Sequence, residues 1–330
     1  RGALALLAVR GSFAGPMAAG TAFQYLFHAP SSGLVGNRDT RFVKGGIGAL
    51  ASALAKALQS FRGEVRTGCR VARILVDKGR ATGVALDSGE ELRSGLVVSS
   101  ADPRVTYFQL LDPAELPLKV VRRVKNIRFR GSTAKLNLAL SGLPHFEGVE
   151  GLEPLMGQII LCPAVEYLER AYDHAKYGRM SGSPALEVLI PSLLEPALAP
   201  PGGHVMSIVV RYTPYHLREG GWDQLAEVLA DRVLDQLAAY APDIKEKIVG
   251  RQILTPLDLE RRLALSEGSI YHGQMGLDQL LFMRPIPGFG RYRTPIEGLY
   301  LCGAGTHPGG GVSGAPGYNA ARVIHQNWMG

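Results

Sequence analysis

The chain has 330 residues, of which 46% are hydrophobic and 20% charged, a composition able to bury a large core and to fill more than one domain. This excludes a disordered segment, a collagen and a coiled coil. The 41 glycines and 21 prolines follow no G-X-Y period and point to many turns and close backbone approaches. The excess of 36 basic over 29 acidic residues, +7 net, is concentrated in Lys119, Arg122, Arg123, Lys125, Arg128 and Arg130. Only Phe129 supplies an aromatic there, so a nucleic-acid surface is set aside. A solvated helix face leading into a strand is the preferred reading, with attraction to an anionic membrane surface as the second.

Arg1 is followed by an apolar run over 3–9 and, after Arg10, by uncharged residues as far as Phe27. The first run is too short to span a bilayer, and the second is broken by Gly11, Gly15, Pro16 and Gly20. A start on Arg, already in helical periodicity, is read as the interior of a longer chain. Residues 2–28 are expected as two helices broken near Gly15-Pro16, with a loop marked by Gly33, Gly36 and Asn37. Lys44-Gly45-Gly46-Ile47-Gly48 opens a helix whose Leu50, Leu54, Leu58 and Phe61 form a stripe expected to face a core. The period then becomes two, predicting a β-meander over 64–66, 69–76, 81–86 and 91–92 with turns at Lys78-Gly79 and Asp87-Ser88-Gly89. Leu96-Val97-Val98 is a short apolar strand, and Asp102-Pro103 caps and starts a helix.

From 104 to 290 the patterning predicts strands at 132–141, 185–191, 204–213 and 247–254 and a helix over 222–240, with an irregular stretch between the first two strands. The tail returns to the earlier style, with a buried-strand run over 298–306 that ends in glycines and a helix over 315–328. Residues 61–100 are therefore expected to pack against 296–330, with the intervening mixed-sheet region inserted between them.

Gly309, Gly311 and Gly314 satisfy G-x-G-x-x-G, but no strand immediately precedes them and no second strand follows, so they are read as a bend that lets backbone approach a flat or anionic ligand. Lys44-Gly45-Gly46 lacks the GK[ST] ending of a phosphate-binding loop. The histidines show no metal-ligand spacing, and no hydrolase triad is tied to Ser313. Cys69, Cys162 and Cys302 stand apart with no CxxC pair, which argues against dithiol chemistry and for a reducing compartment.

Phe42-Val43-Lys44-Gly45-Gly46-Ile47-Gly48-Ala49-Leu50, Gly63-Glu64-Val65 with Val71-Ala72-Arg73-Ile74, Val98-Ser99-Ser100-Ala101-Asp102-Pro103, and the tail from Gly298 to Gly311 resemble the phytoene desaturase-like, amine oxidase-like FAD-dependent oxidoreductases. Leu254–Arg261 and Leu277–Leu280 add to the likeness, which spans nearly the whole chain. The resemblance implies a mixed α/β fold: the C-terminal part of a two-domain FAD/NAD(P)-binding flavoprotein, with the N-terminal dinucleotide-binding segment outside these residues. By position, 1–44 would be the helical part of the substrate domain, 45–103 a partial FAD-binding domain, 104–290 the substrate domain and 291–330 the closing strand and helix.

The resemblance also implies cofactor contacts at Lys44, Gly45, Gly46, Val71, Gly303, Ala304, Gly311, Val312, Ser313 and Gly314. Many relatives carry an acid where this chain has Ala304. His272, Met275 and Arg284 are the candidates for the face opposite the flavin, each with an alternative reading as a packed or capping residue. The implied chemistry is hydride abstraction from a C–H bond of an apolar or amphipathic substrate to flavin N5, with this segment alone inactive and free of FAD. A carotenoid-type desaturase or isomerase is the alternative within the class, and a catalytically silent interaction module the alternative outside it. The expected location is the cytoplasm, or the mitochondrial matrix in a eukaryote.

Overall fold

The computed structural model describes residues 1–28 and 42–329; the loop expected around Gly33, Gly36 and Asn37 lies outside the described residues. In chain order the elements are α1 (Gly2–Ala8), α2 (Thr21–His28), α3 (Ile47–Ser60), β1 (Val71–Asp77), β2 (Arg80–Leu86), β3 (Glu91–Arg93), β4 (Val97–Ser99), α4 (Pro103–Phe108) and α5 (Leu118–Lys125). They continue with β5 (Thr133–Leu140), β6 (Ile159–Leu161), α6 (Val165–Lys176), β7 (Leu186–Leu189), β8 (His204–Arg211), α7 (Trp222–Ala238), α8 (Ile244–Lys247), β9 (Ile248–Leu254), α9 (Pro256–Leu263), β10 (Leu299–Leu301) and α10 (Ala315–Met329). The chain divides into two compact units, one of residues 1–65 and 132–258, the other of 66–131 and 259–330.

The first unit is built on a five-stranded sheet in the order β6-β7-β8-β5-β9. Its pairings are antiparallel throughout rather than mixed in direction. Strand β5 alternates, with Leu136, Leu138 and Leu140 buried against Trp222, Leu229, Val233 and Leu237 of α7; the period of two on the strand meets the period of 3.6 on the helix. A second cluster joins Leu6 and Val9 to Leu168, Ala171 and Ala175 of α6 and to Tyr212. Helix α6 and strand β6 lie in the stretch expected to be irregular; the spacing of Leu168, Ala171 and Ala175 is the helical signal that was available there. Within the sheet, Glu187 is buried between Arg211 and Arg10, each at 2.5 Å.

Helix α3 corrects one expectation. None of its residues is buried, and the neighbouring Phe61 is 85% exposed, so its apolar stripe faces no core among the described residues. It is held at its start, where the Gly45 N–H donates to Glu195 at 2.6 Å.

In the second unit β1, β2 and β3 form an antiparallel meander, closed by the two-residue turn Lys78-Gly79 with both φ angles positive, the geometry that matches strand twist. The expected strand at 64–66 is absent. Strand β10 pairs with β4 in parallel, Leu299 opposite Val97 and Leu301 opposite Ser99. Ile74 and Ala81 share a core with Leu299 and Leu301, so the meander does pack against the tail, as its patterning predicted.

The unit boundaries differ from those expected at 45, 104 and 290. Residues 104–131 stay with the meander because Tyr107, Val120 and Val124 fill that same core. Residues 259–290 stay there because Ile286 enters the core and Gln279 accepts the Arg128 N–H at 2.8 Å. Residues 45–65 belong to the first unit. In the basic segment α5 buries Val120 and Val124 and leaves Lys119, Arg123 and Lys125 exposed. Among the described residues no helix is long and apolar enough to cross a membrane.

Candidate functional site

In an open parallel sheet, ligands gather at the carboxyl ends of the strands. Here those ends are Ser99–Asp102 after β4 and Cys302–Gly305 after β10. The Cys302 N–H extends the ladder to the Ser99 carbonyl at 2.8 Å. Gly303 has φ +89°, and a Cβ there would lie 2.8 Å from the Ser100 carbonyl oxygen. Only glycine permits this approach. Thr306 closes the turn with its hydroxyl donating to the Gly303 carbonyl at 2.9 Å. Below it, the buried Asp102 caps α4 through Val105.

Gly309 and Gly310 then lie against Met275 and Tyr271. A Cβ on Gly309 would meet Met275 Cε at 2.9 Å, and one on Gly310 would meet Tyr271 Cδ1 at the same distance. Beyond them the surroundings open. Gly311, Val312 and Gly314 all have positive φ, and a Cβ on Gly311 or Gly314 would find nothing within 4 Å. Among the described residues, none of the main-chain N–H groups of 303–305 or of 309–314 has an acceptor. A row of free donors leading into the N-terminus of a 15-residue helix favours negative charge.

Three side-chain nitrogens are buried without a partner in the same unit: His272 Nδ1, Gln274 Nε2 and His307 Nδ1. Gln274 as a residue is 7% exposed. Unsatisfied buried polar groups cost about 1–3 kcal/mol each, and His272 lies against Gly305 of the turn, where a Cβ would be 3.4 Å from the His272 Cβ. Burial lowers the pKa of His272; Asp102 opposes this and Arg284 reinforces it, so the ring is neutral at pH 7. Burial also raises the Cys302 thiol, which leaves it unreactive as a nucleophile.

The placement of the expected residues divides. Val71, Gly303, Ala304, Gly311, Val312, Ser313 and Gly314 belong to the second unit, as do His272, Met275 and Arg284. Lys44, Gly45 and Gly46 belong to the first, where Gly45 and Gly46 each have φ +81° and start α3. Val71 opens β1 opposite Leu86. Ser313 accepts the Ala315 N–H at 3.3 Å, a local cap at the start of α10.

Met275 is fully buried and Arg284 is 2% exposed. Arg284 Nε donates to the Ala304 carbonyl at 2.9 Å, and its two terminal nitrogens donate to the carbonyls of Gln274, Gln279, Gly273 and Tyr271. Every donor of the guanidinium is used, so it acts through the backbone it holds. Burial pushes its pKa down to about 10, which keeps it charged at neutral pH. Gln274 and His307 were not singled out by sequence reasoning; their signal, a polar side chain beside glycines, is too common to stand out.

Two depressions of about 560 and 690 Å³ share Arg293, Thr294 and Asn327; neither is lined by the turn at 303–305 or the bend at 309–314. No group of metal-ligating side chains is present among the described residues.

Residues 8–325 match the model of the flavin containing amine oxidoreductase family, and the chain belongs to that family. It is 41% identical over 335 residues to pyridine nucleotide-disulfide oxidoreductase domain-containing protein 2 of Rattus norvegicus, covering 98% of this chain and 58% of the relative. It is 32% identical to the neurosporene-forming phytoene desaturase of Cereibacter sphaeroides, over 83% of this chain and 51% of that one. The chain thus spans little more than half the length of these relatives. Among solved structures it is similar to an oxidoreductase from Methanosarcina mazei, with TM-score 0.57 and 20% identity over 86% of this chain and 55% of that one. It is also similar to a putrescine oxidase variant, with TM-score 0.53 and 15% identity over 94% of this chain and 60% of that one. These likenesses give the fold, the mixed α/β architecture of amine oxidase-like flavoproteins. The open donors, the glycine approach at Gly303 and the three orphaned nitrogens suit the anionic oxygens and polar ring edge of a flavin nucleotide.

Proposed function

We propose that the chain is the C-terminal part of an FAD-dependent oxidoreductase that removes a hydride from a C–H bond of an apolar or amphipathic substrate, and that the unit binding the rest of the dinucleotide lies outside these residues. The observation that carries the reading is the row of acceptor-free N–H groups over 309–314 at the start of α10. When bound, the flavin would supply the hydride acceptor. The chain's own residues would supply its setting. Gly311, Val312, Ser313 and Gly314 would donate to the ring edge that gains negative charge, and the N–H groups of 303–305 would meet anionic oxygens. Neutral His272 would donate or accept one hydrogen bond at Nδ1 and Gln274 would donate one from Nε2, neither adding charge.

The 32% identity to a phytoene desaturase over 83% of this chain supports a second reading in the same class, desaturation of a polyene. Absorption spectra decide on the cofactor. A longer protein in which these residues are joined to an N-terminal dinucleotide-binding unit of the family is expected to purify with flavin bands near one FAD per chain, and residues 1–330 alone without them. Absence of flavin from the longer protein, after incubation with FAD, overturns the reading.

A further inference from the structure

We propose that Arg284 is a positioning residue that presets the glycine turn for an anionic ligand oxygen, resting on the flavin reading above for the identity of that ligand. The guanidinium is held by five main-chain carbonyls, and among the described residues no carboxylate pairs with it. Four of the five carbonyls belong to residues 271–279; the fifth is Ala304. One side chain therefore ties the loop carrying His272 and Gln274 to the turn after β10.

The consequence for the turn follows from the planarity of the peptide. In a trans unit the C=O and the next N–H point in opposite directions, and the 304–305 bond is trans. By drawing the Ala304 carbonyl toward itself, Arg284 turns the Gly305 N–H the other way, where it has no acceptor. The turn is preorganised by a bond on its hidden side, and no reorganisation remains when a ligand oxygen arrives. The cation behind it is uncompensated, so the carbonyls are satisfied without cancelling its charge. A buried carboxylate in the same place would hold neither the carbonyls nor an anion.

The experiment uses wild type, Arg284→Lys and Arg284→Met, each in residues 1–330 and in the longer protein that carries FAD. Amide hydrogen exchange of the peptide covering 271–279 and of the hydrogen-bonded amides of Cys302 and Thr306 is expected to quicken at least tenfold in Arg284→Met, with β1 and β2 as protected as in wild type. With FAD bound in the longer protein, Arg284→Lys keeps the charge but not the five-way grip. It is expected to weaken FAD at least tenfold with the reduction potential nearly unchanged.

Arg284→Met is expected also to lower the affinity for reduced relative to oxidised flavin about tenfold, about 30 mV for a two-electron couple. If Arg284→Met does not fold, the lysine variant decides through its exchange and its FAD affinity. Wild-type exchange at Cys302 and Thr306 in both variants overturns the proposal. So does a quickening spread evenly over β1 and β2, which marks a merely structural role. A longer protein that takes up no FAD overturns the flavin reading instead, and exchange in residues 1–330 then decides on Arg284 alone.

Discussion

Asp102 Oδ2 accepts the main-chain N–H of Ser266 at 2.9 Å while its other oxygen accepts that of Val105 at the same distance. One buried carboxylate thus starts α4 and fixes a segment more than 160 residues further along the chain. Replacement by Ala removes a cap, worth about 1 kcal/mol, and strands a buried N–H at a cost of about 1–3 kcal/mol. Asp102→Ala is expected to lower stability by about 2–4 kcal/mol in urea unfolding, and Asp102→Asn by clearly less, since its amide oxygen can still cap α4. Equal losses would mean that the cap on α4 contributes nothing.

Glu187 gives a second test, in the first unit. Burial pushes its pKa up, but Arg211 and Arg10 together overcome this and leave it below the ordinary carboxylate value. Removing the acid leaves two guanidiniums facing one another, so Glu187→Ala is expected to cost about 3–5 kcal/mol. Because the folded-state pKa is the lower one, the stabilisation is complete above the unfolded value of about 4.3 and is lost as pH falls through the folded one. The variant's stability is therefore expected to vary less with pH below about 4.3 than that of wild type, as read from denaturant midpoints across pH.

Much of this fold was legible because patterning and burial agree. The alternation of β5, the stripe of α7 and the Lys78-Gly79 turn all report local rules that tertiary contacts obey. Legibility failed where a contact partner lies far along the chain. Nothing near Arg284 in sequence shows that its guanidinium ends on the Ala304 carbonyl, and nothing near Leu54 shows that its helix face meets no core. The glycine bend was readable as a bend, since positive φ selects glycine. Val312, which shares that φ sign, carried no such mark.

His272 tests the electrostatics of the site. Its pKa lies below 6.5 mainly through burial, so between the two values the unfolded chain binds the extra proton. The stabilisation is full above about pH 6.5 and falls as pH drops toward the folded-state value. His272→Gln is expected to flatten that part of the stability curve, while a curve of unchanged slope would show that the ring is solvated. His28, also lowered by burial, keeps its own contribution in both proteins, so the difference between them isolates His272.

Gly314 separates backbone geometry from ligand approach. Its φ is +68°, and a Cβ would meet nothing within 4 Å, so no clash opposes a side chain in the ligand-free protein. The left-handed conformation does oppose one. A β-branched residue there costs roughly 1–3 kcal/mol, whereas Asn tolerates the region at smaller cost. If the space before Gly314 receives the flavin edge, Gly314→Val and Gly314→Asn should both lower FAD occupancy in the longer protein sharply, because either side chain fills that space. Only Val should add an appreciable loss of thermal stability. If the position is an ordinary helix start, Asn should keep wild-type flavin content and reduction kinetics, and Val should lose only stability at the first turn of α10. Flavin content by absorbance and unfolding temperature, measured on both variants, therefore read two separate properties of one residue, and full occupancy in Gly314→Asn removes it from the site.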